Sequence, residues 1–321
     1  MKELQFEKYH GLGNDFLLVR GVDVEGTDVS ALAVKLCART TGVGADGLIS
    51  VTGGEGKPVA ANGEGQATTA REEGKQAAVS EGGKPTVASE ERQPLEMAIH
   101  NSDGSLAPMC GNGIRCFALY AVSHGLEDRD VFPVKTEAGE MVVKVVSREP
   151  FIVEINMGRP DFSPRAAGVD TDMDSFLQQK IEVPGYGRLT VSSVLMGTYH
   201  TVVWMDSTDG LPALDDEDGI RAFGRAVKTN QVFSIEQNVN MALLTGEDEI
   251  TARTYERGAG LTDACGTGAC AAAVIAAEEN KTGDEVTVHL KYGDLAIRLE
   301  GGEVYMRGPA ALIARGTAVV D

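Results

Sequence analysis

Short runs of β-branched and aliphatic residues recur along the chain. FLLV (16–19), GLISV (47–51), LEMAIH (95–100), MVVKVV (141–146), FIVEINMG (151–158), NMALLT (240–245), ITARTYE (250–256), VTVHL (286–290), LAIRLE (295–300) and VYMRG (304–308) are each bounded by Gly, Asp or Asn. Such runs between turn residues predict strands. VKTEAGEMVVKVV and LAIRLEGGEVYMR place two runs either side of a tight connection, which predicts hairpins and largely antiparallel sheets. Two stretches read as helices instead. After Cys110, apolar residues at Ile114, Phe117, Ala118, Ala121 and Val122 fall on one helical face. After Cys265, residues 269–277 are apolar all round, as in a helix buried within a domain, and Glu278, Glu279, Asn280 and Gly283 mark its end. Strands followed by Cys-Gly-x-Gly and a buried helix occur twice in the same order. This repetition predicts an α/β protein of the α+β type with two similar domains, each a mostly antiparallel sheet wrapped around a central helix. The two cysteine-bearing helix starts would face each other across a cleft.

One segment breaks the pattern. Residues 53–94 are rich in Gly, Glu, Lys, Ala and Ser and hold no aromatic residue. Too little apolar surface is present there to offset the entropy of ordering, so the segment is expected to be a mobile surface insertion.

Composition narrows the partners. The formal net charge of −19 over 321 residues argues against a nucleic-acid or anionic-membrane partner, but leaves a small zwitterionic ligand open. The amino terminus lacks the apolar core of a signal peptide, and no run is long enough to span a bilayer; a cytoplasmic protein is the expectation. The five cysteines are Cys37, Cys110, Cys116, Cys265 and Cys270. An odd count without a secretion signal does not suggest a disulfide framework. The absence of C-x-x-C and the scarcity of His argue against zinc, so no metal site is expected. Cys37, Cys116 and Cys270 are assigned to packing.

Cys110 and Cys265 each stand at a helix start, where unpaired N–H groups and the dipole favour an anion. That anion can be a thiolate or a docked carboxylate. Burial raises a thiol's pKa by more than the dipole lowers it, so reactivity is expected mainly when a site closes around a charged substrate. Two thiols from matching halves suit inversion of a carbon bearing a hydrogen: one removes the proton from one face and the other delivers a proton to the opposite face. No lysine or glycine-rich phosphate site suggests pyridoxal phosphate, so no cofactor is expected. A rival reading makes the two cysteines a switching disulfide in a redox sensor.

YHGLGNDF (9–16), HNSDGS (100–105), MCGNGIRC (109–116) and YERGAG followed by ACGTGAC (255–270) together resemble diaminopimelate epimerase, in order across nearly the whole chain outside the insertion. The resemblance implies a cofactor-independent epimerase converting LL- to meso-diaminopimelate for lysine and peptidoglycan synthesis, with two domains around a cleft, usually in a homodimer. It places the domains at 1–156, with a returning segment 307–321, and at 157–306. It implies Cys110 and Cys265 as catalytic base and acid. Gly111, Asn112, Gly266 and Thr267 would then offer backbone donors to the carboxylate. Asn14, Asn101, Asn238 and Arg257 correspond to side chains holding the amino-acid ends of the substrate, and Glu256 would accept its ammonium. Asn14 and Asn101 also suit turns, and Glu256–Arg257 also suits a surface ion pair. The chain departs from the family at MGTYHTVV (196–203), where Thr198 and Tyr199 replace Asn-Pro before His200. Gly47 stands where some members carry Gln, and Leu261 where Glu is frequent. Thr198 would line the distal end of the substrate site with a hydroxyl instead of an amide. These departures leave a related two-cysteine racemase for another amino acid as the nearest alternative.

Overall fold

A computed structural model describes residues 2–54, 93–206 and 209–320. Most of the insertion expected at 53–94 lies outside the described residues; its ends join the antiparallel strands Gly47–Thr52 and Leu95–Asn101.

Strands dominate, as the sequence predicts, and they form one continuous sheet that falls into two matching halves. In the first half the hydrogen-bonded order runs Lys2–Gly11, Asn14–Arg20, Gly47–Thr52, Leu95–Asn101, Val131–Thr136, Gly139–Arg148, Phe151–Asn156. The second half repeats it with Gly187–Met196, Thr198–Trp204, Asn238–Gly246, Glu249–Glu256, Glu285–Leu290, Gly293–Glu300, Glu303–Pro309. The last strands of the two halves pair with each other, Phe151–Asn156 against Glu303–Pro309. Each outer edge carries a further strand, Ala311–Val320 on Lys2–Gly11 and Gln179–Val183 on Gly187–Met196.

The sheet is mostly antiparallel, as expected, with parallel pairs in addition. Each half contains two parallel pairs. A parallel pair requires a crossover, and each is bridged by a helix in sequence. These helices are α1 (Val29–Cys37), α2 (Gly111–Ser123), α3 (Glu217–Lys228) and α4 (Gly266–Glu278). The sequence reading identified α2 and α4; α1 and α3 are additional.

The helices divide by burial. α1 and α3 lie on the outer face, each burying one stripe: Leu32, Ala33, Leu36 and Cys37 on α1; Ile220, Phe223, Gly224 and Val227 on α3. α2 and α4 run inside their halves and belong to one shared apolar core. α4 is buried continuously from Gly268 to Ala276, as its unbroken apolar run predicts. α2 is more enclosed than its amphipathic pattern suggests, because Arg115 and Cys116 are fully buried as well as Ile114, Phe117, Ala118 and Ala121. Arg115 is held by backbone at two of its three nitrogens: Nε donates to Pro309 O at 2.9 Å and Nη1 to Gly111 O at 3.0 Å, while Nη2 has no partner among the described residues. It thereby ties the start of α2 to the end of the strand that joins the halves.

Candidate active site

Both cysteines singled out in the sequence occupy N-cap positions in extended backbone, Cys110 before α2 and Cys265 before α4. Their sulfurs take the part usually played by a Ser or Asp oxygen. Gly113 N–H donates to Cys110 Sγ at 3.4 Å, and Gly268 N–H donates to Cys265 Sγ at 3.3 Å. The N–H groups of the first helical residues remain without intrahelical partners by the geometry of a helix start.

The two helix starts meet. A Cβ placed on Gly111 would lie 2.9 Å from Met306 Cε, and one on Gly266 would lie 3.0 Å from Met306 Sδ. One methionine of the joining strand therefore lies between the two glycines, and a larger residue at either would force the end of the methionine side chain to move. Asn112 spans the gap between halves: its Nδ2 donates to Ala264 O and to Asn14 Oδ1, each at 3.1 Å. Ala264 is the residue before Cys265, so the second residue of α2 is bonded to the approach to α4.

A cleft opens beside this junction in two compartments. The larger, about 850 Å³, is lined by Cys110, Gly111, Asn112, Cys265, Gly266, Thr267, Thr198 and Tyr199, among others. The second, about 700 Å³, is lined by Asn101, Arg39, Asp46 and the 256–264 loop. Asn14, Cys110, Glu256, Arg257 and Ala264 line both. Of the site residues named from the sequence, only Asn238 is not among the lining residues. It stands behind the wall, where its Oδ1 accepts from Arg257 N at 2.7 Å.

The matching halves place these residues at matching points. Asn14 and Thr198 open the second strand of their halves, and Gly47 and Asn238 open the third. Asn101 and Glu256 close the fourth. Yet the chemistry at these points differs, so the cleft is polarised. Glu256 accepts from the Thr262 hydroxyl, and burial raises its carboxyl above the usual range. Burial likewise pushes both thiols up, Cys265 the more strongly, with Glu256 adding to the effect on each. Thr267 Oγ1 lies 3.5 Å from Cys265 Sγ, and Arg115 partly offsets burial at Cys110. At rest the cleft thus favours neutral thiols, because the cost of removing a thiolate from water exceeds the help from helix and arginine.

Among the described residues Arg257 pairs with no carboxylate; its guanidinium lies 5.3 Å from the centre of the Tyr199 ring. His200 is buried, with its ring nitrogen Nδ1 3.1 Å from Asn240 Nδ2, and burial lowers its pKa to about 3. It is a neutral structural histidine behind the site. Cys116 and Cys270 are buried within the helices, each pushed up to about 12 by burial, in keeping with a packing role; Cys37 is the buried last residue of α1. The sequence reading missed Asp46 and Arg39. Asp46 Oδ2 accepts from Asn14 Nδ2 at 2.6 Å, and Arg39 Nη2 donates to Asp46 Oδ1 at 2.6 Å. Nothing in GVGADGL marks its aspartate apart from a turn former.

Two cysteine-capped helices meeting across a cleft between matching halves define the class. The fold is shared with a phenazine biosynthesis protein of the PhzF family from Bacillus anthracis, at a TM-score of 0.61 and 13% identity over all of both chains. It is also shared with a hydroxyproline epimerase from Agrobacterium vitis, at 0.58 and 15% identity over 99% of this chain and 91% of that one. Within this fold the sequence is more specific. The family model for diaminopimelate epimerase matches residues 6–163 and 192–313. Diaminopimelate epimerases from Halothermothrix orenii and Pelotomaculum thermopropionicum are 34% and 35% identical, over 99% and 98% of both chains respectively. The chain belongs to the diaminopimelate epimerase family.

Proposed function

We propose that this protein converts LL-diaminopimelate to meso-diaminopimelate by proton transfer between Cys110 and Cys265, without a cofactor. The observation that carries the proposal is the meeting of two cysteine-capped helix starts on one cleft. In the reaction, one sulfur as thiolate takes the α-proton, breaking C–H and forming S–H. The opposing thiol gives its proton to the other face of the carbon and becomes the thiolate. The net charge on the pair is unchanged, and the reverse reaction exchanges the roles.

The substrate carboxylate at the reacting carbon fits against the N–H groups at Gly111, Asn112, Gly266 and Thr267, which also stabilise the charge that develops there. Asn112 Oδ1 is buried without a hydrogen-bond partner among the described residues, an acceptor suited to an ammonium. Glu256 supplies the carboxylate for ammonium binding. Arg257, unpaired and stacked on Tyr199, suits the distal carboxylate, with Asn14, Asn101 and Thr198 along the wall and Asn238 holding the Arg257 backbone. We assign residues 1–156 with 307–321 to one domain and 157–306 to the other, closing on the substrate from both sides.

We further propose a homodimer. Strand Ala311–Val320 pairs only with Lys2–Gly11 among the described residues, and it exposes Leu312 and Ile313. A free edge with apolar residues invites pairing. Sedimentation equilibrium should give twice the chain mass, and Ile313→Glu should shift it toward the single mass; a wild-type monomer at micromolar concentration rejects the assignment. For the activity, purified protein without added cofactor should convert LL-diaminopimelate to the meso isomer, followed by chiral chromatography. Turnover of proline or hydroxyproline instead would reassign the substrate.

A further inference from the structure

Asn14 sits between the Cys110 sulfur and a carboxylate that has no part in the proposed proton transfer. An amide presents an oxygen that accepts and an NH2 that donates, so its direction decides what a neighbouring sulfur meets. Here that direction is dictated from both ends. Both oxygens of Asp46 face donors: Arg39 Nη2 on Oδ1 at 2.6 Å, and Asn14 Nδ2 at 2.6 Å with Asp15 N at 3.0 Å on Oδ2. The Asn14 NH2 must therefore point to Asp46. On the far side Asn112 is fixed by the Ala264 carbonyl, which only accepts, so its NH2 also meets Asn14 Oδ1. The Asn14 oxygen is left facing Cys110 Sγ at 3.7 Å.

We propose that Asp46 is a positioning residue for Cys110: by receiving the NH2 of Asn14 it turns the amide oxygen to the sulfur and keeps Cys110 protonated in the unliganded protein. A carbonyl oxygen accepts a hydrogen bond from S–H but repels a thiolate. Were Asn14 reversed, its NH2 would donate to the sulfur and favour the thiolate. The other charged and titratable groups near Cys110 are Glu256, which opposes the thiolate, Arg115, which favours it, and the thiols of Cys116 and Cys265. None of them contacts Asn14 in a way that would turn it. The device belongs to one half only. Thr198 stands at the matching point, and the hydroxyl of Thr267 beside Cys265 can donate or accept. The resting proton of Cys110 is therefore held by an amide of fixed direction, whereas that of Cys265 meets the Glu256 carboxylate and the Thr267 hydroxyl; ionising Cys110 requires Asn14 to turn or withdraw. This inference concerns the free protein and does not depend on the identity of the substrate.

The test is alkylation by iodoacetamide across pH, with Cys110 and Cys265 quantified separately by peptide mass spectrometry in the unliganded protein. In Asp46→Ala only the single bond from Asn112 Nδ2 still holds the Asn14 oxygen, so the amide can turn and the Cys110 profile should move to lower pH, giving roughly tenfold faster alkylation at neutral pH for a shift of one unit. Cys265 should keep its rate within about twofold, which reports an intact cleft. Asp46→Asn preserves shape and can meet Asn14 with either group. It should move Cys110 in the same direction by less, and it carries the test if the alanine variant does not fold. An unchanged or slowed Cys110 in the variants, or equal acceleration of both thiols, overturns the proposal.

Discussion

In the proposed reading Arg257, resting on Tyr199, receives the distal end of the substrate. The guanidinium has no carboxylate partner among the described residues and rests over the Tyr199 ring at 5.3 Å. Such a contact is worth about 1 kcal/mol at a partly exposed site, or roughly fivefold in binding. Tyr199→Leu should therefore raise KM for diaminopimelate roughly fivefold with kcat little changed, whereas Tyr199→Phe, which keeps the ring face, should stay near wild type. Equal effects of the two variants in steady-state kinetics would assign Tyr199 to simple packing. The sequence could mark the Thr198-Tyr199 departure but not its consequence, because the ring's partner lies 58 residues away along the chain (199 to 257). Asp46 was hidden for a related reason. Its role depends on which group of Asn14 it receives, and no spacing pattern encodes the direction of an amide. Cys110 and Cys265, in contrast, were legible because a helix start is a local event written in adjacent residues.

The two capped helices differ in how tightly their third residues are enclosed. A Cβ on Gly268 would lie 2.4 Å from Asn240 Oδ1 and 2.7 Å from Thr254 Oγ1, and these two side chains are bonded to each other at 3.0 Å. On Gly113 the nearest atoms are the Cδ1 methyls of Ile99 and Ile49, at 3.0 and 3.3 Å, and apolar ends of this kind can shift. Gly268→Ala should therefore cost about 1–3 kcal/mol by overpacking and disturb the donor on Cys265. Gly113→Ala should cost well under half as much. Urea midpoints of the two variants check this; equal midpoints would contradict it. Element legibility followed periodicity. α4 was plain from an unbroken apolar run and α2 from its stripe. α3 escaped because its first turn lies in the acidic run LDDEDG and two glycines, Gly219 and Gly224, fall among the few apolar residues of its stripe, Ile220, Phe223 and Val227. α1 escaped because only four of its nine residues are buried. With α1 and α3 unseen, the two parallel pairs they bridge, Asn14–Arg20 with Gly47–Thr52 and Thr198–Trp204 with Asn238–Gly246, were unseen as well.

At the scale of the molecule, repetition of one strand order makes the chemistry possible. A reaction on two faces of one carbon needs two reactive groups brought from opposite directions, and a repeated half supplies the second by the same folding rules as the first. The repeat was legible in outline through the two Cys-Gly-x-Gly motifs. Its joint was not: the pairing of Phe151–Asn156 with Glu303–Pro309 and the placing of Met306 between Gly111 and Gly266 depend on contacts distant in sequence. The central claim is that the two sulfurs act from opposite faces of the α-carbon. It is tested most directly by proton exchange in deuterated water with LL- and meso-diaminopimelate, using wild type, Cys110→Ala and Cys265→Ala. Wild type should place deuterium at the α-carbon of the inverted product, and each single variant should lose epimerisation. The two variants should also differ in which isomer exchanges fastest. Near-normal epimerisation by either variant would contradict a mechanism that needs both thiols.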